Sequence, residues 1–130
     1  MIEVYIDGAS AGDPGPSGAG IFIRGHGQGE HYSFPLGHMS NHEAEYCALL
    51  KALEICLSKK YKTVSFRTDS QLIERAVEKR FAKNDTYSPF LEKALEHIDQ
   101  FDLFFIKWIP SKQNNVADEL AKKGIQLNRK

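Results

Sequence analysis

The stretch Asn41-His42-Glu43-Ala44-Glu45-Tyr46-Cys47-Ala48-Leu49-Leu50-Lys51-Ala52-Leu53-Glu54-Ile55-Cys56-Leu57-Ser58-Lys59 decides the architecture. Here the hydrophobic period changes from two to about 3.6 residues, the change from strand to helix. Ala48, Leu49, Ala52, Leu53 and Cys56 form one helical stripe. Glu45 heads the stripe, on the same face as Leu49, Leu53 and Cys56. A buried carboxylate must be protonated, paired with a cation or bound to metal. A solvated Glu45 would only complement the helix dipole. Helix geometry alone gives the two readings similar weight.

Upstream of this helix the chain reads as strands. Ile2, Val4 and Ile6 alternate with Glu3, Tyr5 and Asp7. Residues 8–20 are rich in glycine and read as turns. Residues 21–24 and 32–36 flank Gly25-His26-Gly27-Gln28-Gly29, which predicts a hairpin. Downstream, a strand over 63–68 leads into a helix beginning near Ser70, and a second helical segment over 90–98 follows Pro89. A last strand over 103–109 precedes a closing helix from Asn115 to about Gly124. The order βββαβααβα implies an α/β fold, a mixed sheet with helices on its faces.

At 130 residues and 42% hydrophobic content, the chain can fill one core without disulfides, so a single domain over 1–130 is expected. Lys+Arg and Asp+Glu both number 17, so nucleic-acid affinity would have to come from local charge placement. Cys47 and Cys56 fall in one helix, nine residues and roughly 13 Å apart, too far for a disulfide. Glu3 follows the first residues directly, without a basic region or long apolar run. No segment approaches the ~18 apolar residues of a membrane span, and a reduced, cytoplasmic protein is expected.

Three further acids stand at element boundaries. Asp7 ends the first strand and Asp69 ends the strand over 63–68, although an Asp before a helix is also a standard N-cap. Ligands of open α/β sheets bind beyond the carboxyl ends of strands, where Asp7 and Asp69 would meet if their strands are parallel neighbours. Asp118 lies in the first turn of the last helix, where Asn115 would cap. Each acid alone reads more readily as structural. Together with Glu45 they make an oxygen-rich set suited to Mg²⁺ or Mn²⁺. Other chemistry lacks its residues: residues 8–20 contain neither GxxxxGK[ST] nor GxGxxG, no GxSxG occurs, and the five histidines lack zinc-ligand spacing with the cysteines.

Four ordered blocks resemble the type 1 ribonuclease H family over residues 2 to about 124. They are Asp7-Gly8-Ala9-Ser10-Ala11-Gly12-Asp13-Pro14-Gly15-Pro16-Ser17-Gly18, Ser40-Asn41-His42-Glu43-Ala44-Glu45, Thr68-Asp69-Ser70-Gln71 and Asn114-Asn115-Val116-Ala117-Asp118-Glu119-Leu120-Ala121. The resemblance implies a three-layer α/β/α fold with a five-stranded mixed sheet in the order 3-2-1-4-5. It also implies endonucleolytic hydrolysis of the RNA strand of an RNA–DNA hybrid, leaving 5′-phosphate ends. Two divalent cations, Mg²⁺ or Mn²⁺, would be held by the catalytic acids Asp7, Glu45, Asp69 and Asp118, with Asp7 bridging them. By the same resemblance Gly12, Asn41, Glu45 and Gln71 would read 2′-hydroxyls, and Ser10 and Asp13 would also contact substrate. A monomer without an obligate protein partner is expected. A nucleic-acid-binding module with little turnover, or a nuclease for another structured nucleic acid, are the alternatives.

The chain departs from the family pattern in four places. Asp13 and His42 stand where members usually have Asn. The basic protrusion of many members is missing, with Lys79, Arg80 and Lys83 as the basic cluster in mid-chain, and no histidine lies between Trp108 and Asp118, where Lys112 is the titratable group before the acid. A solvated helix face would account equally for the basic cluster.

Overall fold

A computed structural model describes residues 1–25, 27 and 29–128; His26 and Gln28 of the expected hairpin loop lie outside the described residues. The strands are β1 (Ile2–Ser10), β2 (Gly15–Arg24), β3 (Glu30–Met39), β4 (Thr63–Thr68) and β5 (Leu103–Trp108). The helices are α1 (Asn41–Ser58), α2 (Gln71–Lys79), α3 (Ser88–Ile98) and α4 (Asn115–Gln126), with a 3-10 turn at Ser111–Gln113 before α4. The sheet order is β3-β2-β1-β4-β5. The first three strands are antiparallel, and β4 and β5 join parallel to β1. This is the expected mixed sheet and the expected order.

Alternation along β1 sends Ile2, Val4 and Ile6 to one face and Glu3, Tyr5 and Asp7 to the other. The first face meets α1 and α2, with α3 packed against those helices, and the core there includes Val4, Ile6, Leu49, Leu53, Phe66, Ile73, Leu91 and Ile106. The other face carries α4 over β1, β2 and β3. Along α1 the whole expected stripe is buried. The helix begins with a capping box in which Ser40 Oγ accepts the Glu43 N–H and Glu43 accepts the Ser40 N–H.

The glycine-rich stretch is mostly strand rather than turn. β1 continues to Ser10, β2 begins at Gly15, and the chain reverses between them. The glycines serve close packing instead. A Cβ on Gly8 would lie 2.2 Å from the Ala44 carbonyl oxygen of α1, and one on Gly20 would lie 2.1 Å from the Ala117 carbonyl oxygen of α4. Two helices thus touch opposite faces of the sheet through bare backbone. Two cap assignments also change. Asn114, not Asn115, precedes α4, and its side chain makes no cap bond. Ser70, not Asp69, caps α2 by accepting the Ile73 N–H.

Candidate active site

The glycine contacts place the acids. Asp7 is opposite Gly20 in the β1–β2 register. Because Gly20 lets Ala117 press onto the sheet, the next residue, Asp118, is brought to the side of Asp7. Gly8 admits Ala44 in the same way from the other face, which brings Glu45 to the end of β1. The parallel register pairs Ile6 with Thr68, so Asp7 and Asp69 follow side by side. Asp69 lies just past the end of β4, but Asp7 is still inside β1, which runs on to Ser10 instead of ending at Asp7 as expected. All four carboxylates line one cavity of about 460 Å³, with Asn41, Ser111, Lys112 and Asn115 on its rim.

Polar groups around the acids hold them individually. His42 Nδ1 is 2.9 Å from Glu45 Oε1, and Lys122 Nζ is 2.9 Å from Asp118 Oδ2. Asn114 is buried and donates from Nδ2 to the Ile6 carbonyl at 2.9 Å, which ties the start of α4 to β1 just before Asp7. Trp108 Nε1 donates to the Asp69 carbonyl oxygen at 3.1 Å. With Ser70 capping α2, the Asp69 carboxylate is left for the cavity.

Electrostatics mark the cavity as short of positive charge. Burial, then the Asp69 charge, a hydrogen bond with Asp118 and the charges of Asp118 and Glu45 push the Asp7 carboxyl up to about 8. Burial raises Glu45 most, against the opposing bond from His42. Burial also raises Asp69, with Asn114 and Ser111 opposing. Among the described residues, no three acid, imidazole or thiol side chains are drawn together tightly enough to enclose an ion. Asp7 and Asp118 are within hydrogen-bond reach of each other, and four carboxylates around one cavity form an all-oxygen donor set that fits divalent cations.

The remaining expected site residues divide into two groups. Asn41 lines the acid cavity. Ser10, Gly12, Asp13 and Gln71 do not. Ser10 Oγ donates within its own turn, to the Gly12 carbonyl, and is 3.1 Å from the Met39 carbonyl oxygen. Asp13 Oδ1 accepts the Asn41 N–H at 3.0 Å, so this carboxylate complements the positive end of α1. Gly12 and Gln71 are exposed.

The basic cluster also divides. Lys79 and Lys83 line a cavity of about 480 Å³ together with Arg75, His42, Phe81 and Tyr87. Arg80 turns away and pairs with Asp99 at 2.8 Å. Sequence reasoning passed over Arg75, which shares α2 with Lys79. A spacing of four residues, one helical turn, was the available signal. It also passed over the bonds made by Asn114 and Trp108, which no local pattern encodes.

Residues 5–124 match the family model described as reverse transcriptase-like. Over 128 residues the chain is 37% identical to EbsB of Enterococcus faecalis, provisionally named a hydrolase, covering 97% of this chain and 95% of the relative. It is 33% identical over 133 residues to ribonuclease HI of Halobacterium salinarum, covering 95% of this chain and 64% of that protein. The structure of LC11-RNase H1, isolated from compost, in complex with an RNA/DNA hybrid superposes with a TM-score of 0.90 at 29% identity over 100% of both chains. With its sheet order and the full-length match, the chain belongs to the ribonuclease H family.

Proposed function

We propose that this chain is a metal-dependent endonuclease that hydrolyses the RNA strand of RNA–DNA hybrids, acting as one monomeric domain in the cytoplasm. The observation that carries the reading is the meeting of Asp7, Glu45, Asp69 and Asp118, from four separate segments, in one cavity. A cationic partner suits the cavity, since burial and then the neighbouring carboxylates push Asp7 up to about 8. The family's dependence on divalent metal fits that donor set, and these four side chains would hold two ions, Mg²⁺ or Mn²⁺. Bound divalent cations would ease loss of a proton from water and offset charge on the departing oxygen.

The chain's own residues supply position and affinity. His42 holds one Glu45 oxygen, and Ser70 also reaches the carboxylate. Asn114 and Trp108 fix the backbone beside Asp7 in β1 and at Asp69 after β4, so that the two acids keep their spacing. Arg75, Lys79 and Lys83 offer phosphate contacts beside α1, which supports binding of a duplex despite zero net charge. Asn41 at the cavity rim, with Gly12, Glu45 and Gln71, would meet 2′-hydroxyls, the group that distinguishes RNA from DNA. Among the described residues, no helix is long and apolar enough to cross a membrane, and both cysteines are free, which supports a reducing compartment.

Cleavage of a labelled RNA–DNA hybrid, compared with single-stranded RNA and duplex DNA, in Mg²⁺ and in Mn²⁺, tests the assignment. Products with 5′-phosphate ends from the hybrid alone are expected. Hybrid binding without cleavage in either metal would make the chain a binding module. Cleavage of duplex DNA in preference to the hybrid would reassign the substrate.

A further inference from the structure

A row of side chains crosses the α4 face of the sheet, one pleat repeat before the acids. Tyr5 in β1 is in register with Arg67 in β4, and Arg67 with Lys107 in β5. Arg67 and Lys107 are thus like charges directly opposite on neighbouring strands, which destabilises a sheet unless an anion offsets them. Glu3 offsets only part of this charge. Its Oε1 accepts from Arg24 Nε at 2.6 Å and lies 3.1 Å from Arg67 Nη1, so two guanidiniums already share it. Arg67 Nε is buried with no hydrogen-bond partner, and Lys107 has no acidic partner among the described residues. The Tyr5 hydroxyl accepts from Arg24 Nη2 at 3.1 Å and Arg67 Nη1 at 3.4 Å, which leaves its own proton free to donate.

These groups, with Gln113, wall a cavity of about 300 Å³. Cross-strand pairing accounts for Glu3 with Arg24 and Arg67. It does not account for an unpaired lysine set against an arginine whose buried Nε lacks an acceptor. We propose that this cavity binds a phosphate group. Three cations and one carboxylate leave two positive charges, which match the roughly −1.5 to −2 of a phosphate monoester near neutrality. Guanidinium forks suit its oxygens better than they suit a halide. The site is distinct from the acid cavity: Gln113 lines this one and Ser111 that one, at opposite ends of the same 3-10 turn. A free phosphate or a phosphorylated strand end offers three or more anionic oxygens and nearly two charges, whereas an internal phosphodiester offers two oxygens and a single charge.

The test follows the arginine Nε–Hε signals of the ¹⁵N-labelled full chain by nuclear magnetic resonance at constant ionic strength. Inorganic phosphate, a 5′-phosphorylated pentanucleotide and its unphosphorylated twin are titrated separately. A saturable shift of the Arg67 Nε–Hε signal is expected with phosphate. Losing one charge-assisted contact in Lys107→Gln should weaken it about tenfold. This exposed substitution leaves the core untouched, and in Arg67→Gln, checked for folding by circular dichroism, the Arg24 Nε–Hε signal should no longer shift saturably with phosphate. A saturable Arg67 shift with the unphosphorylated strand as well would assign the site to the nucleic-acid backbone. A shift with phosphate and the phosphorylated strand alone would assign it to terminal or free phosphate. No saturable shift with any of the three, or the same drift with chloride as with phosphate, overturns the site.

Discussion

The acid cavity and the cationic groove lie on either side of the first turns of α1, and they are held in opposite ways. His42 belongs to both, since it lines the groove and bonds Glu45. Around the acids, position comes from backbone contacts that admit no Cβ, at Gly8 against Ala44 and at Gly20 against Ala117. Around the groove, position comes from side chains on α2 and the segment after it, with the apolar side chains of Leu72 and Ala76 among them. A backbone contact either fits or forces a helix away, whereas a lysine at a groove edge acts through a screened and adjustable field. Changes in the first region should be nearly all-or-none, and changes in the second graded.

The largest effect should come from Asp7→Asn. The amide keeps the shape and removes the charge that two cations would share. Cleavage should fall at least about a thousandfold, or roughly 4 kcal/mol of transition-state stabilisation, with the fold intact. Parent-like turnover in a steady-state hybrid assay would remove Asp7 from the chemistry. Gly20→Ala examines the backbone side of the comparison. A methyl placed 2.1 Å from the Ala117 oxygen must push α4 outward. Overpacking of this kind costs about 1–3 kcal/mol, and Asp118 would move with the helix. Denaturant unfolding and cleavage should both show the loss. A stable, fully active Gly20→Ala protein would refute positioning by close contact.

The fold was largely legible because its signals are local: period two in β1, the buried stripe of α1, and strands alternating with helices after it. The four acids were legible as a set because Asp7, Asp69 and Asp118 read as boundary residues and Glu45 heads a buried helical stripe, and the resemblance supplied their partnership. Their dependence on Gly8 and Gly20 was not legible. In one dimension a glycine in a strand looks like a glycine in a turn, and only the helix packed against it tells them apart. The cap of α4 was misplaced for a related reason. Asn114 and Asn115 are equivalent as sequence, but Asn114 is buried and reaches the Ile6 carbonyl of a distant strand. Arg80 belonged to the expected basic cluster but faces Asp99, a pairing across nineteen positions that no helical spacing encodes.

Thermal stability separates the regions next. Since the Asp7 carboxyl is raised from 3.8 to about 8, the folded protein keeps its proton where the unfolded chain has lost it. The stability this group contributes is therefore full below about pH 4 and is lost as pH rises to about 8. In the metal-free protein Tm should fall across that window, and the fall should be smaller in Asp7→Asn. Millimolar Mn²⁺ or Mg²⁺ at pH 8 should restore it, since ions that bind only the folded state stabilise it. Calorimetric scans at pH 4, 6 and 8 with and without metal decide this. A Tm indifferent to both pH and metal would mean that the acids do not share a charge-starved site.

In the groove, Lys79→Ala and Lys83→Ala should each raise KM for a hybrid and leave kcat nearly unchanged. Each should also lower the slope of log affinity against log salt by about 1, as expected for one lost phosphate contact. Arg80→Ala, whose guanidinium is engaged by Asp99, should leave both quantities unchanged. Equal effects from all three cations would mean that general charge, rather than the groove, governs binding.

The smallest effect concerns His42, where the two regions meet. Its ring is half exposed, and its one bond to the acid site is the 2.9 Å contact with Glu45. Without that contact Glu45 stays on the same helix face with one oxygen less restrained. A bond of this kind is worth about 0.5–1.5 kcal/mol, so His42→Ala should lower single-turnover cleavage roughly two- to tenfold. His42→Asn, the side chain usual in the family, places an amide nitrogen as many bonds from Cα as Nδ1 and should restore the rate. If the role is positional, Ala, Asn and the parent share one pH–rate shape between pH 5.5 and 9, displaced only in height. A neutral-range ionisation present in the parent and missing from both variants would instead make His42 a proton carrier. It would then stand in for the histidine that the short loop between Trp108 and Asp118 lacks.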